Sequence, residues 1–133
     1  MIDHESALQK ALVAALQGDA ALAALLDGRV WDQAPQGAAF PHLLIGRCES
    51  RPLAADGGGV EQALTLTAVS RFTGTEEAKA IAAAVRARLH EATLEADGVR
   101  TVSLRVAWSD VARSGDGRRT WAVVRLRAVT EEI

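Results

Sequence analysis

Residues 99–111, VRTVSLRVAWSDV, and residues 119–129, RTWAVVRLRAV, decide the reading of this chain. Apolar and polar side chains alternate through both, the pattern of strands that bury one face. Val102, Leu104, Val106 and Trp108 share a face in the first, and Ala122, Val124, Leu126 and Ala128 share one in the second. Ser114-Gly115-Asp116-Gly117 between them is a strong turn signal, so the two are expected to pair as an antiparallel hairpin. Both apolar sets fall on even numbers. If both line the core, paired residues have an even sum and the connecting loop has an odd number of residues, which excludes a two-residue turn. Trp108 is then expected in the core, together with Trp31.

The same parity gives the hairpin an open face carrying Thr101, Ser103, Arg105, Trp121, Val123, Arg125, Arg127 and Val129. Arg105 comes opposite or beside Arg125 or Arg127, and like charges so placed cost from a few tenths to about 1 kcal/mol. Arginine stems can simply cover a solvated sheet. The functional reading is that acidic residues of another subunit meet these arginines, with Trp121 as an apolar anchor, because Trp and Arg are enriched at interface hot spots. Arg105, Trp121, Arg125 and Arg127 are therefore the candidate subunit-interface residues.

Upstream, residues 5–17 place Leu8, Ala11, Leu12, Ala15 and Leu16 on one helical face. Gly18 closes that helix, and Asp19 is placed to cap a second one, Ala20 to Leu26, which Asp27-Gly28 ends. A brief extended piece, 29–32, and a turn-rich connection, 33–41, lead to a strand from His42 to Arg47. Glu49 to Val60 contains Pro52 and Gly57-Gly58-Gly59 and reads as a flexible glycine-rich loop, since consecutive glycines are costly to order. Asp56, Gly57, Gly58 and Gly59 are its candidate docking residues. Glu61 to Phe72 alternates as a strand with Leu64, Leu66 and Ala68 on one side. Glu76 to His90 is a helix with the stripe Ala78, Ile81, Ala82, Val85 and Leu89, acidic at its positive end and basic at its negative end. The expected fold is α+β, one domain over 1–133, with an antiparallel sheet of about four strands and helices packed on one face.

Composition narrows the function. A chain of 133 residues can bury a core without metal or disulfide staples. Its 15 Lys and Arg against 17 Asp and Glu give a net charge of −2, which is no footprint for gripping nucleic acid. Cys48 is alone, so the fold is not expected to depend on oxidation. The start lacks a signal-peptide pattern, and no run approaches the roughly 20 apolar residues of a membrane span. A soluble protein made in the cytoplasm is expected. His4, His42 and His90 are scattered, and one cysteine cannot complete a common zinc set. The glycine run has no following Lys-Ser or Lys-Thr and precedes a strand, so it is not a phosphate loop. Asp97-Gly98 and Asp116-Gly117 are turn chemistry. No catalytic, metal or cofactor site is expected, and no enzyme.

Several ordered segments carry a resemblance. Ala7 to Leu12, Asp19 to Leu22, Gly28 to Asp32, Pro35 to Pro41, Glu76 to Ile81 and Trp121 to Thr130 resemble, in order and spacing, a phage tail-completion family. That family includes the tail terminators of siphophage-like particles, and the sequence is particularly similar to the member carried by alphaproteobacterial gene transfer agents. The resemblance implies a homo-hexameric ring, without catalytic residues, at the tail–neck junction of a virion or gene transfer agent particle assembled in the bacterial cytoplasm. The ring would cap the tail tube protein, stop its polymerisation and meet the neck stopper protein, with DNA passing through unread. Glu76, Glu77, Glu131 and Glu132 are the acidic residues considered as partners for the arginine face. The alternatives are another neck protein, a stopper or head–tail adaptor, and a monomeric small-ligand-binding domain.

Overall fold

The computed structural model describes residues 2–53 and 58–133. Helix α1, His4–Gln17, starts at Asp3, whose carboxylate accepts the Ser6 N–H at 2.9 Å. Its buried residues Ala7, Leu8, Ala11, Leu12, Ala15 and Leu16 repeat at helical spacing, and Gly18 ends it. Asp19 caps α2, Ala20–Leu26, by accepting the Leu22 N–H at 3.0 Å, and Leu22 and Leu26 turn inward. Two backbone turns in the left-handed region, at Asp27 and Gly28, then redirect the chain into β1, Val30–Trp31.

β2 (His42–Pro52) and β3 (Val60–Ser70) form an antiparallel pair, followed by α3, Glu76–Leu89. The short β4, Glu95–Ala96, and the long β5 (Val99–Arg113) and β6 (Thr120–Glu132) complete the chain. The sheet has six strands in the order β1-β2-β3-β6-β5-β4. β1 runs parallel to β2 and every other neighbour is antiparallel. The α+β expectation holds, but the sheet is mixed and larger than the four antiparallel strands expected. β1 falls within the brief extended piece expected at 29–32, whereas the two residues of β4 have no alternation to read.

The helices pack on the face bearing Leu64, Leu66 and Ala68 of β3 and Ala122, Val124, Leu126 and Ala128 of β6. Those rows lie opposite each other in register: Leu64 pairs with Leu126, Leu66 with Val124, and Ala68 with Ala122. The alanine-rich stripe of α3 (Ala78, Ile81, Ala82, Val85, Leu89) closes the core over β3, β5 and β6.

Strand β5 departs from the simple alternation. Its register to β6 shifts between Thr101 and Ser103 and again between Val106 and Trp108, so Val102 and Ala107 are extra residues in two bulges. Each bulge flips the parity. Val99 and Thr101 face the core before the first, and Leu104 and Val106 between the two. After the second, Ser109 and Val111 take the inward side. Trp108 is therefore not a core residue; it is 48% exposed, opposite Arg125. The loop from Ser114 to Arg119, between the last pair Arg113 and Thr120, has six residues rather than an odd number. Trp31 also leaves the helix side. Val30 fills the core, while Trp31 is half-buried against the His42 ring at 5.4 Å.

Candidate functional site: the open face of the sheet

Register alone places the site. Reading across β2, β3, β6 and β5, one row runs Glu49, Ala63, Arg127, Arg105, and Thr65, Arg125 and Trp108 form the next. Val69, Trp121 and Ala112 form a third. Arg105 and Arg127 are directly paired, because the stretch between the two bulges keeps an even sum. Trp121, 37% exposed, shares this face with Trp108. Two large indoles left in water on one sheet face are the face's main unspent apolar surface.

Two of the arginines already have carboxylates within the chain. Glu61 lies 3.1 Å from Arg51 and 3.4 Å from Arg127. Glu49 lies 3.3 Å from Arg47 and 3.8 Å from Arg125. The sequence pattern hides these partners, because Glu49 stands in a stretch with the composition of a loop. The extended end of β2 instead brings Glu49 and Arg51 into register with Ala63 and Glu61. Such exposed pairs contribute about 0–1 kcal/mol each, so they offset the arginine crowding without fixing the fold. Arg105 makes no ion pair among the described residues. Of the acids considered as outside partners, Glu77 accepts the Ser70 hydroxyl at 2.7 Å and Glu131 is held by Arg100 at 2.7 Å. Glu76 and Glu132 are exposed.

At the hairpin end this face is partly roofed by the connection before β2. Phe40 packs on His42 at 4.8 Å, and His42 is buried, its Nδ1 2.9 Å from the Ala39 carbonyl. The guanidinium groups of Arg71 and Arg119 lie over the Phe40 ring, 4.2 and 5.3 Å from its centre. Beside them is an open hollow of about 730 Å³ lined by Arg71, Arg118, Arg119, Trp121, Ser114 and Asp116. Asp116 is turned to its own loop, accepting from the Ser114 hydroxyl at 2.6 Å and the Arg118 N–H at 3.0 Å. Those bonds, the Ser114 one first, hold its carboxyl below the usual range.

Of the candidate docking loop, Asp56 and Gly57 lie outside the described residues. Gly58 has φ +68°, and the Gly59 carbonyl accepts the Leu53 N–H at 2.8 Å. Because β2 reaches Pro52 and β3 begins at Val60, the connection is shorter than the 49–60 segment read from the glycines.

A buried polar cluster went unnoticed in the sequence. His4 Nδ1 is 2.8 Å from the Thr130 hydroxyl, and the Gln62 amide donates to that hydroxyl at 3.1 Å and to the His4 carbonyl at 3.3 Å. Cys48 Sγ donates to the Gln62 carbonyl oxygen at 3.5 Å. Even parity in β3 and β6 was the available signal, since it aims Gln62 and Thr130 inward with Leu64 and Ala128. Partial burial first, then the charges of Glu5 and Glu49, push the Cys48 thiol up, away from the thiolate a nucleophile needs. The cluster ties the first turn of α1 to the sheet. Thr130→Val leaves two buried groups without their shared hydroxyl, so an unfolding free energy lower by about 1–3 kcal/mol is expected in urea titrations. Thr130→Ser, which keeps the hydroxyl, should lose less.

Among the described residues no three His, Cys, Asp or Glu side chains are placed to hold a metal ion. A sequence model of the family described as tail completion protein gp17 matches residues 10–131. The chain is also similar to a solved chain from the virion of a native gene transfer agent (GTA) particle, at 27% identity and a TM-score of 0.89. That match covers 98% of this chain and 99% of the other. No curated protein matches.

Proposed function

Because this chain belongs to the tail completion protein gp17 family, we propose that it is the subunit of a hexameric tail terminator ring in a phage or gene transfer agent particle. The observation that carries this reading is the match in fold, over nearly the whole of both chains, to a component of a gene transfer agent virion. In this role the ring caps the tail tube, stops its growth and meets the neck stopper protein. The work is structural, not catalytic. Arg105, Trp121, Arg125 and Arg127 belong to the contact with neighbouring copies; Arg105, which makes no ion pair among the described residues, and the exposed Trp121 support that assignment. The loop of Asp56, Gly57, Gly58 and Gly59 docks on the tube or neck. A net charge of −2 suits a channel through which DNA moves without being gripped.

Adding the purified chain to polymerising tube subunits tests the reading. Shorter tubes, each ending in one ring in electron micrographs, are expected. Unchanged tube lengths with binding to the neck would instead make the chain a stopper or adaptor. A strict monomer that binds neither tube nor neck protein would point to a small-ligand-binding domain.

A further inference from the structure

The two ends of the longest strands differ in the charged groups they leave without an ion pair among the described residues; Asp110, opposite Val123, lies toward the hairpin end but outside the hollow. At the hairpin end, Arg71, Arg113, Arg118 and Arg119 make no ion pair among the described residues, and the one carboxylate in the hollow, Asp116, is occupied by its own loop. Stacking on Phe40 holds Arg71 and Arg119 in place and leaves guanidinium edges available for a carboxylate. At the other end of β6, Asp97 is bridged by Lys10 and Glu131 by Arg100, while Glu95 and Glu132 make no ion pair among the described residues. Next to Glu132, Ile133 is 64% exposed. One end offers guanidinium groups beside an indole; the other offers a carboxylate beside an apolar side chain.

The two ends cannot meet within one chain. Trp121 and Glu132 sit near opposite ends of β6, and at about 3.3 Å per residue the strand separates them by roughly 35 Å. We propose that the hollow of Arg71, Arg118, Arg119 and Trp121 receives Glu132 and Ile133 of a second copy. Such a contact joins unlike surfaces, so it repeats head to tail and closes only as a ring. The inference rests on the ring reading above and names which surfaces meet. A nucleic-acid phosphate suits the hollow less well: the chain is net negative, and the arginines surround one pocket beside an indole instead of forming a stripe.

Charge reversal in the full chain tests it. Arg118→Glu with Arg119→Glu, and separately Glu132→Arg, should each weaken self-association by about 30-fold or more, measured by sedimentation with circular dichroism as the check on folding. Mixing the two variants should restore association, because copies then alternate with every hollow facing an opposite charge. The triple variant should recover for the same reason. Rings and capped tubes formed as in the unsubstituted chain by the Arg118→Glu, Arg119→Glu variant would place the contact elsewhere, while leaving the ring reading intact. Loss of binding to duplex DNA with association unchanged would assign the hollow to phosphate and overturn the proposal. An unsubstituted chain that stays monomeric and caps no tube would remove the ring reading and this contact together.

Discussion

Leu66→Ala is expected to lower the unfolding free energy by about 2–5 kcal/mol, a large share of the roughly 5–15 kcal/mol that holds a domain of this size. Leu66 is fully buried in the centre of the sheet, with Ile45 on one side in register and Val124 on the other. Truncating it removes the transfer energy of three carbons and leaves a cavity that neither strand can fill, because both are held by their ladders. Val102 gives the contrast. In the sequence it stands in the same alternating row as Leu104, yet it is the extra residue of a bulge and 58% exposed. Val102→Asp should change stability by no more than about 0.5 kcal/mol. Urea titrations of both variants should show the midpoint falling for Leu66→Ala at an unchanged slope, and almost no movement for Val102→Asp. Equal losses at the two positions would mean that the first bulge of β5 is absent.

That pair of positions also shows what the amino-acid pattern can reveal. The stripes of α1 and α3 were legible because Leu, Ala and Ile recur at three- and four-residue spacing, and those same residues are buried. β3 and β6 are legible because neither carries a bulge where they pair, so one register holds from the Val60–Thr130 pair to the Ser70–Thr120 pair. β5 was legible as a strand but not as a set of faces. A bulge adds one residue without any compositional mark: the first leaves Val102 outside the inward row, and the second turns Trp108 outward, while the alternation of residue types stays intact. The polar end of β2 resembles a loop because Glu49, Ser50 and Arg51 need no buried side; they are exposed, and Ser50 reaches only the first turn of α1, donating to Glu5 at 2.7 Å. Missing that extension hid Glu49 as a partner of Arg125 and left Glu61's pairing with Arg127 unread. Of the candidate site, the alternation places Arg105, Trp121, Arg125 and Arg127 on the open face, where the register also has them, and hides the indole beside them, Trp108.

On the proposed ring reading, replacing Trp108 and Trp121 together by Ser is expected to abolish ring assembly and leave tubes growing uncapped, with the monomer's stability changed by less than about 1 kcal/mol. Each indole still shows roughly 100 Å² to solvent, and covering that much apolar surface contributes about 2.5 kcal/mol at 25 cal/mol per Å². The pair then contributes at most roughly 5 kcal/mol per contact, an upper bound on the order of a thousandfold in association because ordering and desolvation costs offset part of it. The arginines beside them should behave differently. Arg125→Ala with Arg127→Ala removes groups already paired to Glu49 and Glu61, so a smaller effect, about tenfold at most, is expected. Trp108→Ser alone isolates the face from the hairpin hollow, because Trp121 lines that hollow and Trp108 does not. If the arginine pair matters more than the indoles, charge and not apolar burial governs this face, and the acids that meet it must displace Glu49 and Glu61 before they can bind.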